Sequence, residues 1–476
     1  MSEHGEFGQS MPSVVVPPPG PESADLARRL SRHEFPACSI IGPGRTPVFW
    51  KRAAGANVED VDGNIYVDLT AGFCVAVAGH SNPRVVKAIS EQASQLIHSQ
   101  GGLNPNPQRV WLTEKLASLA PPGLTASMIL STGAEAVDVA IKTARLYTGR
   151  HTIIAFQRGF HGKTLGALNV SSQNYYREPV LPLLQGTVHI PYPDQYRGVF
   201  GHSGLECARH CADYLEYLLT MEDSAVSNVA AVIMEPVQGH GGWNIPPRDF
   251  VQRIREICSR HNILLIADEI ITAFGRCGHM FAMNHFGVVP DIITVGKGMA
   301  SGFPISAVLT RPELAGAFKS MQHSSTFVGH PLGCAASLAC LQDIEERQLI
   351  SRGRELGAYL KDQLLAMQPR HPLMGDVRGL GMMVGIELVR DRVTKQPASD
   401  LGHQVVHNLL QRGIMATNYG GTYHNVIKLS PPLVITREQL DWALRCLDDS
   451  LGEVEAGVDW TRPVEDDQSG QTRSMW

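Results

Sequence analysis

The sequence lacks the features that mark several classes of protein. It has no run of basic residues, and 41 Lys and Arg stand against 46 Asp and Glu, a formal charge of −5. That weak acidity argues against a standing nucleic-acid partner. The longest apolar runs fall far short of the ~20 residues that span a bilayer, so we expect no membrane span. The first ten residues are polar and acidic, so we expect no secretory signal peptide.

Cysteine is sparse and unpaired in the sequence. The nine cysteines are scattered and form no CxxC motif; Cys207 and Cys211, with His210 between them, are the only close pair. Two buried thiols or surface residues explain that pair more simply than a metal site, because no second ligand pair follows. The odd, scattered set indicates a reducing compartment, and we expect a cytoplasmic protein.

The chain is long enough for two or three domains, and its middle alternates short β-rich runs with helical patterns. That alternation is typical of a parallel α/β sheet. The predicted strands are Met128–Leu130, Thr152–Phe156, Val229–Met234, Ile263–Ala267, Ile292–Val295 and Ile305–Leu309. Before them a hairpin is predicted over Ala56–Leu69, and after them short strands over Met382–Leu388 and Val426–Leu429.

We therefore predict an α/β fold with a large domain around a mostly parallel sheet and a smaller α+β domain built from both chain ends. The predicted divisions are a disordered leader over residues 1–24, a first segment of the small domain over 25–75, the large domain over 76–345, the rest of the small domain over 346–459, and a flexible tail over 460–476.

Polar and glycine residues follow the predicted strands. Ser131-Thr132-Gly133-Ala134-Glu135 comes directly after the first one, and Thr132 with Glu135 fits a capping box that starts a helix. Glycine at the positive end of a helix lets a phosphate approach backbone N–H groups. An ordinary structural helix start is the alternative for this motif taken alone.

Four further motifs stand at later strand ends: Phe160-His161-Gly162, Glu235-Pro236, Asp268-Glu269 and Gly296-Lys297-Gly298. Each alone has an ordinary explanation, such as loop packing, a helix cap or a solvated lysine. Because ligands bind beyond the carboxyl ends of strands in open α/β sheets, together they favour one site. These groups suit pyridoxal phosphate: backbone N–H groups for its phosphate, an aromatic ring that can stack on its own ring, a carboxylate and a lysine. Its aldehyde forms a Schiff base with a neutral lysine amine.

At this point the chain resembles the class III aminotransferases, which are fold-type I pyridoxal-phosphate enzymes, from about Pro47 to Glu453. The motifs that carry the resemblance are Ser131-Thr-Gly-Ala-Glu-Ala136, Phe160-His-Gly162, Glu235-Pro-Val-Gln-Gly239, Ala267-Asp-Glu-Ile270 with Phe274-Gly-Arg276, Gly296-Lys-Gly298, Thr326 before Gly329-His-Pro-Leu-Gly333, and Gly375-Asp-Val-Arg-Gly379.

The resemblance implies a role for each matching residue. Lys297 would be the Schiff-base lysine and proton shuttle, and Asp268 would pair with the pyridine nitrogen. Thr326 would reach the phosphate of the neighbouring subunit, which places the site at a homodimer interface. The other implied contacts are Gly133 and Ala134 with Thr132 at the phosphate, Phe160 stacked on the ring, His161 and Ile271 beside the cofactor, and Glu235 near the substrate.

The position before Pro-Pro-Leu departs from many relatives. They carry an arginine there that binds the substrate α-carboxylate as a fork, whereas this chain has Lys428. The resemblance therefore favours a donor that can lack an α-carboxylate, such as an ω-amine or an amino sugar of the kind found in antibiotic biosynthesis. The alternative is that Lys428 is a surface charge without bearing on the substrate.

Four more departures bear on the reaction. His240 stands where related racemases and epimerases have an aspartate as second base, and histidine titrates in the right range to replace it. A solvent-facing or hydrogen-bonded histidine is the alternative. Phe73 and Phe160 replace the glutamine and tryptophan of the related dialkylglycine decarboxylase, so decarboxylation is disfavoured. Ile271 replaces a glutamine that many relatives aim at the cofactor. Trp243, after two glycines, could line the pocket, but core packing is the default expectation.

The main prediction is a pyridoxal-phosphate aminotransferase that moves an amino group between a small-molecule amine donor and a carbonyl acceptor. One alternative is a racemase or epimerase that uses Lys297 and His240, and another is elimination or dehydration on a sugar. A non-catalytic regulator is disfavoured, because both Lys297 and Asp268 are present.

Overall fold

The structure, a computed structural model, describes residues 7–42 and 45–457. Its strands are β1 Trp50–Ala54, β2 Asn57–Asp60, β3 Ile65–Asp68, β4 Ala126–Leu130, β5 Thr152–Phe156, β6 Thr187–Ile190, β7 Val229–Met234, β8 Leu264–Asp268, β9 Ile292–Val295, β10 Ser306–Thr310, β11 Met374–Leu380, β12 Met383–Asp391, β13 Gln396–Pro397, β14 Ile414–Met415 and β15 Val426–Leu429.

The longer helices cover both faces of the large sheet and the outside of the small domain. They are Pro21–Leu30, Pro83–Gln95, Pro107–Leu119, Gly133–Thr148, Gly204–Thr220, Arg248–Arg260, Pro331–Glu346, Leu349–Met367, Ser399–Gln411 and Arg437–Glu455. Within residues 7–42 and 45–457, no helix is long and apolar enough to cross a bilayer.

The large domain is organised around a seven-stranded sheet in the order β4-β10-β9-β8-β7-β5-β6. Strands β5 to β9 run parallel, whereas β10 runs antiparallel to both β4 and β9. Strands β5, β7, β8 and β9 are buried along their whole length. Helices on both faces explain their nearly continuous apolar sequence. The predicted mostly parallel α/β fold is confirmed.

Sequence patterns found most of these strands, with small differences. Three predicted strands have the observed limits, and the others differ by one or two residues. The prediction missed β6, an edge strand with Thr187 and His189 in place of an apolar run. It also did not reveal the direction of β10, because strand direction depends on the path of the chain between strands.

The two chain ends meet in the small domain. Strand β14 pairs in parallel with β3, with Ile414 opposite Val67, and joins the sheet β1-β2-β3-β14. The predicted hairpin is present as the antiparallel pair β2 and β3. A second sheet contains β11, β12 and β13, with β15 paired to β12.

The prediction that residues 1–24 form a disordered leader is wrong for residues 7–24, which pack against the hairpin of β2 and β3. Ser13 forms a backbone bridge with Ile65, and Oδ1 of Asn64 accepts the N–H groups of Val15 and Val16 at 2.8 and 2.9 Å. The side chain of Asn64, in the hairpin turn, thus accepts backbone N–H groups of the segment next to the prolines. The composition of that segment does not reveal a hydrogen-bond partner elsewhere in the chain. Residues 1–6 and the predicted tail over 460–476 lie outside the described residues.

Candidate active site

The site lies at the carboxyl edge of the parallel strands. Strands β7, β8 and β9 are adjacent, and they end at Met234, Asp268 and Val295. Glu235, Asp268 and Lys297 therefore emerge side by side at one edge of the sheet, as the motif order predicts.

Asp268 is held by three hydrogen bonds at the base of the site. Its Oδ2 accepts from Nδ1 of His161 at 2.6 Å, and its Oδ1 accepts from Oγ1 of Thr294 at 3.0 Å and from the N–H of Ile270 at 3.1 Å. Burial by itself lowers the pKa of His161, but the bond to Asp268 and its charge outweigh burial and raise that pKa. The buried carboxylate is thereby fixed in position, and it favours the protonated form of the neighbouring imidazole.

Glu235 ties two neighbouring loops together. Its Oε1 accepts the N–H of Phe160 at 2.9 Å, and its Oε2 accepts the N–H of Gly239 at 2.8 Å. Burial raises the pKa of Glu235 to about 7, although His161 and the two N–H groups oppose the shift. Glu235 thus fixes the walls of the site on either side of the strand end.

Lys297 projects into a cavity of about 350 Å³. It follows β9 directly and has a left-handed backbone, with φ of +40°. Burial lowers the pKa of its amine, although Asp268 and Glu235 oppose the shift. Its Nζ forms no hydrogen bond or salt bridge with the part of the chain that the structure describes, so the amine is available to a bound group.

The start of helix Gly133–Thr148 packs against Ile270, the neighbour of the cavity residue Ile271. Oγ1 of Thr132 accepts the N–H of Glu135 at 3.3 Å, as in a capping box. In a capping box the Glu135 side chain would also accept the N–H of Thr132. Here its carboxylate accepts the N–H of Ser131 instead. A Cβ at Gly133 would lie 2.9 Å from Cδ1 of Ile270, so a larger residue there would require that side chain to shift. The first N–H groups of the helix have no acceptor within it.

Many of the residues that line the cavity are aromatic. Apart from Lys297, the lining includes Phe73, Phe160, Tyr176, His240, Trp243, Ile271, Thr417, Tyr419 and Lys428. Nε2 of His240 lies 3.1 Å from the Tyr419 hydroxyl, which also hydrogen-bonds the Tyr176 hydroxyl. Burial, followed by the charges of Lys428, His424 and Lys163, lowers the pKa of His240 to about 3. His240 is therefore a neutral, hydrogen-bonded wall residue.

Lys428 is part of this aromatic wall, and the hypothesis that it is a surface charge is wrong. The residue is only 7% exposed, and its Nζ lies 4.8 Å from the centre of a Trp243 ring and 5.7 Å from that of Tyr419. Burial lowers its pKa to about 8. It forms no salt bridge with any described residue, so a buried cation faces the same cavity as Lys297.

A strained turn forms the rim of the cavity. The four residues Ala71–Cys74 all have positive φ, from +48° to +65°. Each non-glycine residue in that region costs ~1 kcal/mol or more. The Asp68 carboxylate holds the turn by accepting from Thr70 and from the N–H of Gly72. Phe73 is thereby presented at the mouth, with 58% of its surface exposed.

The predicted residues fall into three groups. Six of them line the cavity: Phe73, Phe160, His240, Ile271, Lys297 and Lys428. His161, Glu235 and Asp268 are buried at the strand ends beside it. Thr132, Gly133, Ala134 and Thr326 are outside the lining, and Thr326 is exposed. Sequence reasoning missed Tyr176, Tyr419 and Thr294. Thr294 could have been found as the one polar residue in β9, two positions before the glycine that precedes Lys297. The two tyrosines carry no local signal.

These groups fit pyridoxal phosphate. Lys297 supplies an amine that has no hydrogen bond or ion pair with any described residue, Asp268 supplies a fixed buried carboxylate, and Phe160 supplies a flat ring on the cavity lining. Helix Gly133–Thr148 begins beside Ile270, and the N-terminus of a helix is where a phosphate is stabilised. The fold and the site thus define an enzyme of the pyridoxal-phosphate-dependent transferase class.

Comparison with known proteins identifies the family. The model of Aminotransferase class-III matches residues 40–451, so the chain belongs to that family. It is 38% identical to a leucine/methionine racemase of Thermococcus litoralis, over 91% of this chain and 96% of the relative. It is 40% identical to an isoleucine 2-epimerase of Lentilactobacillus buchneri, over 85% and 90%. A 4-aminobutyrate aminotransferase of Mycobacterium leprae is 36% identical, over 92% and 98%.

Among solved structures, an amine transaminase from an uncultivated Pseudomonas species in its PLP-bound form superposes with a TM-score of 0.82. The match covers 89% of this chain and 98% of that one, at 31% identity. The protein is a pyridoxal-phosphate-dependent aminotransferase that acts on small molecules, as predicted from the sequence.

Proposed function

We propose that the amine donor is an amino acid and that Lys428 binds its carboxylate. The main support is the buried ammonium of Lys428. It lines the same cavity as Lys297 and has no acidic partner among the described residues. A buried charge without a partner is costly, and a substrate carboxylate would relieve that cost. This proposal replaces the expectation of a donor that lacks a carboxylate.

The rest of the donor is expected to be apolar. Trp243, Tyr419, Phe160 and Ile271 cover much of the cavity wall. Aromatic and aliphatic walls favour apolar side chains, with a small number of polar groups that fix orientation. Amino sugars, which would leave hydroxyl groups against these walls, are the less favoured donors.

The residues of this chain divide the chemical work between them. When bound, pyridoxal phosphate supplies the electron sink that makes the donor C–H bond acidic. The Nζ of Lys297, with its lowered pKa, takes that proton and returns it during the exchange. Asp268 would hold a proton on the pyridine nitrogen, and the N–H groups of Gly133 and Ala134 would bind the phosphate.

We infer that the working form is a homodimer in which Thr326 contacts the phosphate of the neighbouring subunit. Thr326 is exposed and lies outside its own cavity, which supports a role at another surface. Phe327, Met321 and Leu103 are exposed apolar residues of the same region, at 54%, 56% and 71%. Apolar residues exposed together favour burial in an interface.

A cytoplasmic location is our inference from the cysteines. All nine are free, and eight of them are buried. Free thiols in this number are typical of a reducing compartment.

A racemase or epimerase that uses Lys297 and His240 is the second candidate. Both side chains line one cavity, and a racemase and an epimerase are among the similar proteins. The pKa of about 3 makes His240 a weak base, which is why we place this function second. A carboxylate bound at Lys428 would offset one of the charges that lower this pKa.

A single turnover in heavy water tests both candidates. Cofactor-loaded enzyme is mixed, without an acceptor, with α-amino acids, ω-amino acids, amines that lack a carboxylate, and amino sugars. Conversion of the cofactor and release of one carbonyl product per site, with carboxylate-bearing apolar donors only, would support the proposed function. Deuterium in a donor that keeps its amine and inverts would support the second candidate. Equal reaction of amines without a carboxylate would contradict the role of Lys428.

A further inference from the structure

A cluster of three potential metal ligands lies on the surface of the large domain, apart from the active-site cavity. His202 precedes helix Gly204–Thr220, and Glu206 and His210 lie on its first turns. Nδ1 of His202 is 3.2 Å from Oε2 of Glu206, and Nε2 of His210 is 3.9 Å from Oε1 of Glu206. The two imidazole rings stack with centroids 4.4 Å apart.

The spacing is close to that of a metal site. One ligand atom of each residue lies within 4.8 Å of the other two. Tetrahedral zinc bonds of about 2.0–2.1 Å place neighbouring ligand atoms about 3.4 Å apart. Binding an ion would draw these atoms closer together and turn the two stacked rings until their nitrogens converge on it.

We propose that His202, Glu206 and His210 bind a divalent transition-metal ion such as Zn²⁺, with water completing the coordination. Two imidazole nitrogens and one carboxylate oxygen suit zinc, whereas Mg²⁺ and Ca²⁺ favour oxygen ligands. Cys207 is buried on the inner face of the helix, so the ligand set contains no thiolate. Neither Cys207 nor Cys211, the pair considered as a metal site in the sequence analysis, belongs to this site.

The backbone already holds the ligands in place. Glu206 and His210 are four residues apart on one helix, so they share a face. His202 is fixed by reciprocal backbone hydrogen bonds with Val199 at 2.9 and 3.0 Å. The competing cation, Arg209, lies 3.8 Å from Glu206 in an exposed pair of the kind that contributes little.

Metal binding here is expected to stabilise a connection between the domains. The segment before His202 contains Arg197, whose Nε donates to Glu387 at 2.5 Å and whose Nη1 donates to the carbonyl of Lys395 at 2.8 Å. An ion at His202 would fix the far end of this segment to the helix. The effect should appear in stability, because none of the three ligands lines the active-site cavity.

The test uses cofactor-loaded, chelator-treated enzyme titrated with Zn²⁺ by calorimetry and with Co²⁺ by visible absorption. The variants are His202→Ala, His210→Ala and Glu206→Gln, and the control is His33→Ala, which removes an exposed histidine elsewhere. We expect one saturable site per chain, and an affinity at least about tenfold weaker in each ligand variant. The control should bind as the unaltered enzyme does.

Thermal unfolding provides the second readout. Saturating Zn²⁺ should raise Tm by about 2 °C or more in the unaltered enzyme and in the control, but not in the ligand variants. Cofactor absorbance and metal-free Tm show whether each variant is folded. Absence of saturable binding, or equal affinity in the unaltered enzyme and both histidine variants, would overturn the proposal.

Discussion

The two sides of the cavity are built in different ways. On the cofactor side, Asp268 and Lys297 follow adjacent strands of one sheet, and hydrogen bonds from the same domain fix the carboxylate. On the substrate side, Tyr176 of the large domain meets Tyr419 of the small domain. The first side is determined by one rigid sheet, whereas the second depends on how two domains and their loops meet. Reaction chemistry and substrate choice can therefore change separately.

The largest effect should come from the cofactor side. Lys297→Ala removes the amine that we propose binds the cofactor and moves the proton, so kcat/KM should fall by at least about 10³-fold. The characteristic cofactor absorbance should disappear at the same time, as measured by spectrophotometry. Lys87→Ala, at a lysine with a 75% exposed side chain, is the control and should retain both. Normal turnover by the Lys297 variant would contradict the site assignment.

A smaller change tests the hydrogen bond from Thr294 that helps to hold Asp268 in position. Thr294→Val removes the bond to Oδ1, and loss of one buried hydrogen bond of ~1–2 kcal/mol should lower kcat about 5- to 30-fold. The pH dependence of the cofactor absorbance should shift, because the carboxylate is held less firmly. Thr310→Val removes a similar buried bond, to the Asp291 carbonyl, and should leave kcat and the spectrum unchanged. Equal effects of both variants would indicate a general loss of stability.

On the substrate side, Lys428→Met should raise KM for carboxylate-bearing donors about 10- to 100-fold, through loss of one charge-assisted interaction. KM for amines that lack a carboxylate should not rise. The enzyme's own pH profile gives a second test, since the ammonium is charged below its pKa of about 8 and neutral above it. KM should therefore increase above pH ~8.

Lys428→Arg is the matched variant for that profile. Arginine stays charged over this range, so its KM should remain flat where that of the lysine enzyme increases. Measured KM values that follow the same curve in both enzymes would assign the titration to another group.

The smallest effect is expected at the contact between the domains. Tyr419→Phe removes the hydroxyl shared by His240 and Tyr176, and loss of net hydrogen-bond energy of ~0.5–1.5 kcal/mol should lower kcat/KM about 2- to 10-fold. Cofactor absorbance should be unaffected. Tyr423→Phe, in the same loop with 47% exposure, is the control. A changed cofactor spectrum in Tyr419→Phe would show that the two sides are not independent.

Local sequence was sufficient to predict the residues on the cofactor side of the cavity, because these residues lie at the ends of strands. Buried parallel strands are recognisable from apolar runs, and their carboxyl ends must meet at one edge. Glu235, Asp268 and Lys297 could therefore be grouped before any coordinates. Thr294 was overlooked although it interrupts an apolar run, which is a readable signal for a polar contact.

Other features depended on partners distant in the chain. Tyr176 and Tyr419 are 243 residues apart, and no local pattern links them. The ordering of residues 7–24 depends on acceptors in the hairpin turn, above all Asn64. A proline-rich composition indicates only that such a segment cannot form a core by itself.

The sequence by itself determined the family, the cofactor and the parallel strands, because these follow from local patterns and from motifs in a fixed order. Only the tertiary structure decided the environment of Lys428. Its burial requires β15 to pair with β12 and Trp243 to cover it, and these contacts come from separate parts of the chain. Since burial controls the charge and the reach of a lysine, the residue that we expect to select the substrate acquires its role only in the folded protein.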